Sequence, residues 1–308
     1  IVLVPLFFST DNTSINENGT ATITTTLDAA LNRETVVSFS LSGTATSDID
    51  YSTSYTGKGT VTDLIAAQNT GIFVDLSGNV FAANIGNHQI KKWAPGASDG
   101  TVVAGSNGSG SGSNQLNMPM DIALDSDLNI YIADYGNNRI QKWAPGATSG
   151  TTVAGGNGQG AGLNQLDGPI GIALDKFNNV YVTDRYNHRV IKFAAGSTSS
   201  SSGTVVAGGT GSGSAANQLN TSWNTVPSGL HVDEDLNIYI CDSNNNRVQK
   251  WANNATEGST IAGLNRASNI DMDKIGNLYM LDYLYGNVKK WIASSNTVID
   301  ISSRQKIN

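Results

Sequence analysis

Cysteine is almost absent from this chain: Cys241 is the only one among 308 residues, so no internal disulfide can staple the fold. It sits where other copies of a repeated pattern have Ala, Thr or Leu, and it reads as a small buried hydrophobe. Histidine is scarce too, with His88, His188 and His231 in all. The first two share one turn position, which leaves one for a central site and falls short of the three protein ligands of a catalytic zinc. No stretch reaches the ~18–20 apolar residues that a membrane-crossing helix needs. Ile1 to Phe8 is short and lacks a basic flank, so it reads as a first strand rather than a signal peptide. Basic residues number 18 against 25 acidic ones, a formal charge of −7 with no basic cluster. That balance disfavours nucleic acid, whose capture rests on neutralised phosphates. Charged residues of both signs make up only 14%, while Gly, Ser and Thr crowd the loops, the profile of a secreted or cell-surface β-protein.

What the chain has in abundance is repetition. A twenty-three-residue pattern runs Gly71 to Trp93, Asp121 to Trp143, Gly171 to Phe193, Gly229 to Trp251 and Asn269 to Trp291. Its first aspartates, Asp75, Asp125, Asp175, Asp233 and Asp273, are spaced by 50, 50, 58 and 40 residues, a period typical of solenoids and propellers. In the second copy an apolar run ends at Asp125, a turn follows, and Ile130-Tyr131-Ile132 leads to Asp134. A second turn, a third strand to Trp143 and a fourth at Thr151-Thr152-Val153-Ala154 complete four antiparallel strands, which is a propeller blade. The apolar runs are continuous rather than alternating, as befits sheets that pack on both faces. The fold class is therefore all-β: a β-propeller of five four-stranded blades, with six as the alternative.

Trp93, Trp143, Trp251 and Trp291, with Phe193, close the third strand of every blade. A ring recurring at one place in every blade reads as packing; a sugar- or peptide-stacking platform is the sharper alternative.

Asp134-Tyr135-Gly136-Asn137-Asn138-Arg139 and Asp184-Arg185-Tyr186-Asn187-His188-Arg189 resemble the signature of NHL-repeat β-propellers, and Asp242 to Val248 repeats it. The first copy has Asn84 and Gln89 instead, and the fifth lacks the Arg. The propeller is assigned to residues 57–308. Before it, Ser14 to Gly19, Ala21 to Thr24, Val36 to Ser40 and Gly43 to Tyr51 resemble the first half of a Calx-β sandwich, assigned to 1–56. That resemblance places Glu17 and Asp50 near calcium ligands. The acidic residues of the missing half have no counterpart, so no cofactor is expected beyond a calcium there.

A catalytic group is needed once, whereas Asp134, Asp184, Asp242 and Asp282 recur with Arg139, Arg189 and Arg247 beside the first three. Recurrence marks these as structural: each carboxylate can accept turn amides or pair with its Arg. Candidate binding residues are those that break the pattern: Trp223 in a connection eight residues longer than the others, Arg185, Tyr283, and His231 with Asp271. The last two stand in adjacent inner strands where other copies have Phe73, Ala123 and Ala173. The glycine-rich loops before blades two to four lack the helix N-terminus that a phosphate cradle needs and read as connectors.

These readings lead to a non-enzymatic extracellular module whose loop face binds protein, glycan or further copies of itself. One alternative is a metal-dependent hydrolase or lyase with an axial site, as in the peptidyl-hydroxyglycine lyases and gluconolactonase relatives that the propeller resembles. Another is a self-assembling filament or scaffold subunit.

Overall fold

The computed structural model describes residues 69–221, 229–282 and 287–301. The half-sandwich assigned to 1–56, with Glu17 and Asp50, lies outside the described residues, as do Trp223 and Tyr283.

Each repeat folds into one sheet whose strands pair in sequence order, and the five sheets form a five-bladed β-propeller. The first blade comprises β1 (Asn69–Val74), β2 (Val80–Asn84), β3 (Gln89–Trp93) and β4 (Thr101–Ala104). The second comprises β5 (Pro119–Leu124), β6 (Ile130–Asp134), β7 (Arg139–Trp143) and β8 (Thr151–Gly155). In the third, β9 (Pro169–Leu174), β10 (Val180–Asp184), β11 (Arg189–Phe193) and β12 (Thr204–Gly208) follow. The fourth has β13 (Leu230–Val232), β14 (Ile238–Asp242), β15 (Arg247–Trp251) and β16 (Ser259–Gly263). The fifth has β17 (Ala267–Met272), β18 (Leu278–Asp282), β19 (Asn287–Ile292) and β20 (Thr297–Asp300). Inner strands β5 and β9 start earlier than the apolar run suggests, each at a proline, which is tolerated as the first residue of a strand.

The first hairpin of each blade is set by its aspartate. Asp125 Oδ1 accepts the amides of Asp127 at 3.1 Å and Asn129 at 2.9 Å, and its Oδ2 accepts the Asn129 side-chain amide at 2.8 Å. Asp75, Asp175, Asp233 and Asp273 do the same in their own turns. The fourth residue of this turn takes a positive φ, supplied by Gly78, Asn178 and Gly276 but also by Leu128 at 61° and Leu236 at 65°. For leucine that conformation costs roughly 1–2 kcal/mol.

Aromatic rings fill the junctions between blades. Trp143 is 1% exposed and packs with Phe81, Ala83, Ile90 and Ala104 of the first blade. Phe193 fills the junction of blades two and three, Trp251 that of three and four, and Trp291 that of four and five. The outer strand runs close over the ring: a Cβ on Gly150 would lie 2.3 Å from Trp143, so only glycine fits there. Inner strands touch in the order β1, β5, β9, β13, β17, and four hydrophobic clusters join consecutive blades. Among the described residues, no such cluster joins the fifth blade to the first.

Candidate functional site

Three layers of polar residues lie between the loop-rich end of the propeller and its axis. The outermost is the repeated turn after the second strand. Asp134 is fully buried; its Oδ1 accepts the amide of Asn117 at 2.7 Å, and its Oδ2 accepts Asn137 Nδ2 at 2.8 Å and Arg139 Nε at 2.7 Å. Arg139 spends its remaining donors on the carbonyls of Ser111, Gly112 and Gln115, at 2.8, 2.9 and 3.0 Å. One guanidinium thus ties the turn to the glycine-rich loop that enters the same blade, and a charge that would be costly to bury alone is paired and hydrogen-bonded. Arg189 with Asp184, and Arg247 with Asp242, repeat the arrangement at the same 2.7 Å. Asn84 stands at this place in the first blade, its Oδ1 accepting the Asn87 amide at 2.9 Å. In the fifth, Asp282 accepts the Asn265 amide at 3.1 Å and has Lys289 Nζ 3.9 Å away.

The residue that ends this turn links one blade to the next. Held at positive φ, His88 Nδ1 accepts the amide of Met118 at 3.0 Å, Asn138 Oδ1 that of Gly168 at 2.8 Å, and Asn246 Oδ1 that of Arg266 at 3.1 Å. His188 occupies the same place in the third blade, yet among the described residues its buried Nδ1 accepts nothing. Thr221, where the partner amide would come from, instead sends its hydroxyl to the carbonyl of Arg185 at 3.0 Å. The link is broken beside the longer connection that holds Trp223.

Next to this break is a single-copy cluster at the inner mouth of the loop-rich end. Arg185 is buried, with its guanidinium 4.8 Å from the Tyr186 ring centre and 6.0 Å from that of Tyr135. The two tyrosine hydroxyls are 3.1 Å apart, and Tyr186 is 45% exposed. Gly168, at φ 64°, lets the chain pass under both rings, since a Cβ there would sit 2.9 Å from each. Ile85, Met120 and Ile170 form an apolar floor against which Tyr135 packs.

The third layer faces the axis. His231 and Asp271 meet across the junction of blades four and five, Nδ1 to Oδ1 3.7 Å, too long for a hydrogen bond. The Tyr239 ring stands edge-on to His231 at 6.4 Å. Burial pushes the His231 imidazole below its usual range, with Asp271 and Asp233 opposing the shift. Burial pushes Asp271 upward, against the Met272 amide that it accepts and the neighbouring His231. Near neutral pH His231 is thus held uncharged, the state in which an imidazole accepts a proton.

Asp121, two residues earlier along the inner strand, is a site residue that the sequence reading missed. Its Oδ1 accepts the Ile122 amide at 2.9 Å and its Oδ2 the Ile172 amide of the next blade at 3.0 Å. Burial raises its carboxyl to about 7. A signal was present, because the other copies have Gly71, Gly171, Gly229 and Asn269 in that column. Cys241 is fully buried and its thiol is pushed upward by burial, the opposite of an activated nucleophile. Among the described residues, no three His, Cys, Asp or Glu side chains gather as a metal-holding group. Among them, too, no helix is long and apolar enough to cross a membrane.

With this geometry the chain can be set beside known proteins. It is similar in structure to a chain in a crystal structure of a nidogen/laminin complex, at 19% identity and a TM-score of 0.58, covering 76% of this chain and 80% of that one. It is similar to a streptogramin B lyase at 15% identity and a TM-score of 0.51, over 79% of this chain and 71% of the other. A gluconolactonase from Xanthomonas campestris aligns at 16% identity and a TM-score of 0.53, over 70% of this chain and 69% of that one. Identities this low show a shared fold. No curated protein sequence matches the chain.

The likenesses overturn the expectation that the protein is not an enzyme. Two propellers of this fold are a lyase and a gluconolactonase, so the fold itself is compatible with chemistry. Recurrence removes the turn carboxylates from candidacy, but it says nothing against residues that occur once. The NHL-repeat family model matches residues 116–143, 166–193 and 225–251. Three blades of this five-bladed β-propeller are thus similar to the NHL repeat.

Proposed function

We propose that this propeller is an extracellular interaction module that takes a protein or glycan partner on its loop-rich end. The observation that carries the reading is the Arg185, Tyr135 and Tyr186 cluster, which occurs once and leaves Tyr186 exposed at the mouth. Tyr and Arg held rigid beside an apolar floor are the residue types that dominate binding energy at protein interfaces. A propeller of this fold is also found in the nidogen/laminin complex. The test presents the full chain and its Tyr186→Ser variant to a glycan array and to immobilised extracellular-matrix proteins. The reading predicts a hit that weakens tenfold or more in the variant. A hit of unchanged affinity would move the site off this face.

A second reading is favoured by the axial pair: His231 acting as a proton acceptor held by Asp271, in an enzyme of the lyase or lactonase kind. An axial metal would need a third ligand beyond these two, which the described residues do not bring together. Gluconolactone hydrolysis by the full chain, lost in His231→Gln, is the expected result. Equal rates in the two proteins would remove the pair from the chemistry.

A further inference from the structure

We propose that the end of the propeller opposite the loop-rich mouth is a dimer face, and that its occupant is a second copy of this chain, related by a two-fold axis through blade one. The first and third strands of every blade end here, in the inner turns set by Asp75, Asp125, Asp175, Asp233 and Asp273 and in the outer turns that follow the third strand. The two turns of a blade are tied together: Asn179 Oδ1 accepts the Ala195 amide at 3.0 Å, and Asn237 Oδ1 the Asn253 amide at 3.2 Å. The inner turns thus stand as a ring around the axis.

Each inner turn carries one large apolar side chain. Leu76 is fully exposed, Ile275 is 81% exposed, Phe177 59% and Leu128 42%, and Leu236 is partly exposed. The place of this side chain shifts from the second to the fourth residue of the turn, yet there is one in every blade. Among the described residues none of the five joins a hydrophobic cluster of the blades. The turns are shaped by their aspartates and asparagines, so these side chains do no folding task there. A ring of large exposed hydrophobics marks an interaction surface.

Charge identifies the occupant. The turn aspartates Asp125, Asp175 and Asp273 have Lys142, Lys192 and Lys290 of their own blades at 3.5, 3.8 and 3.7 Å. The exposed charges between the ends of each turn change sign from blade to blade: none in blade one, Asp127 in two, Lys176 in three, Glu234 and Asp235 in four, and Lys274 in five. Lys176 Nζ donates to the carbonyl of Glu234 at 2.7 Å, a neutral acceptor that leaves its charge in place. A two-fold through blade one lays blade two on blade five of the second copy and blade three on its blade four. Asp127 then faces Lys274, and Lys176 faces Glu234 and Asp235, each contact occurring twice. The same operation sets Leu128 opposite Ile275, Phe177 opposite Leu236, and Leu76 opposite its own mate. A two-fold through any other blade turns that blade's charge onto itself, acid on acid or lysine on lysine, which is strongly unfavourable at an interface. The outer turns, further from the axis, add Glu257 to the acidic blade four and Asp99 to blade one. A pair joined in this way leaves both loop-rich mouths free.

The experiment is sedimentation velocity on the full chain over a concentration series, with two charge-reversed proteins, Lys176→Glu and the double variant Glu234→Lys with Asp235→Lys. The parent is expected to dimerise. Each reversed protein alone sets like charges face to face, and its dimer Kd is expected to rise tenfold or more. In an equimolar mixture every reversed turn meets its opposite again, and the Kd is expected to return to within about threefold of the parent. That return also shows that both variants are folded. A Leu76→Cys variant, on the two-fold, is expected to link to its mate through a short bismaleimide, and an Ile275→Cys variant, off it, is not; the buried Cys241 stays out of the reaction. A parent that stays monomeric at about 1 mM would give the ring to another occupant or to water. Reversed proteins that dimerise like the parent would put the contact on another face, and a mixture no tighter than its components would refute the pairing of blades. Each of these three results overturns the proposal.

Discussion

Asp134, Asp184 and Asp242 in the three middle blades each hold an arginine at 2.7 Å, and that arginine holds the loop entering its own blade. In the first and fifth blades the arginine position is Gln89 or Asn287. The family model matches the middle blades, whose second strands are buried throughout, as those of the flanking blades are not. The comparison teaches that one hydrophobic pattern is enough to make a blade, while the buried ion pair fixes how the long loop enters it. Where the pair is missing the strands still form.

Removing the arginine breaks the comparison most sharply. Arg189→Gln leaves Asp184 buried without its charge partner, and the expected loss is about 3–5 kcal/mol by urea denaturation. Lys289→Gln in the fifth blade, a partly exposed cation 3.9 Å from Asp282, should cost under about 1 kcal/mol. Truncation of the junction rings sharpens the same contrast. Trp143→Ala should cost about 3–5 kcal/mol, and Trp93→Ala less, because among the described residues no cluster joins the first blade to the fifth. Gly150→Ala drives a Cβ into the Trp143 ring and is expected to lower Tm by several degrees.

Asp121 gives a pH-dependent effect within the middle blades. Its folded carboxyl, raised to about 7, keeps a proton that the unfolded chain releases near 4. The folded state therefore binds more protons between about pH 4 and 7, and stability from this group falls as pH rises through that window. Asp121→Asn should raise Tm at pH 8 and leave it nearly unchanged at pH 4. The smallest expected effect is relief of turn strain: Leu128→Asn, copying Asn178, should gain about 0.5 kcal/mol in thermal unfolding.

Much of the fold is legible in the sequence because its determinants are local and repeated. Asp125 with Asn129 writes each hairpin, and Trp143 with Gly150 shows where an outer strand crosses a ring. The junctions are harder to read, since both faces of every blade are apolar and only side-chain exposure shows which of them lack a neighbour. The mouth cluster was half legible. Arg185 departs from the pattern, but its stacking on Tyr135 of the preceding blade depends on the 3-10 turn and on Gly168 passing beneath. Asp121 was hidden by its own hydrogen bond, because the Ile172 amide that it accepts is 51 residues away. His231 and Asp271 were visible as exceptions, and the structure brings them together across one junction. The step from recurrent turns to a lack of catalysis is overturned by the lyase and the gluconolactonase that share the fold.

The division between repeated scaffold and single-copy site is tested most directly by urea denaturation of Arg189→Gln beside His231→Gln. The account predicts a loss of at least about 3 kcal/mol for the first and within about 1 kcal/mol of the parent for the second, whose side chain is partly open to the axis. Equal losses in the two variants would contradict it.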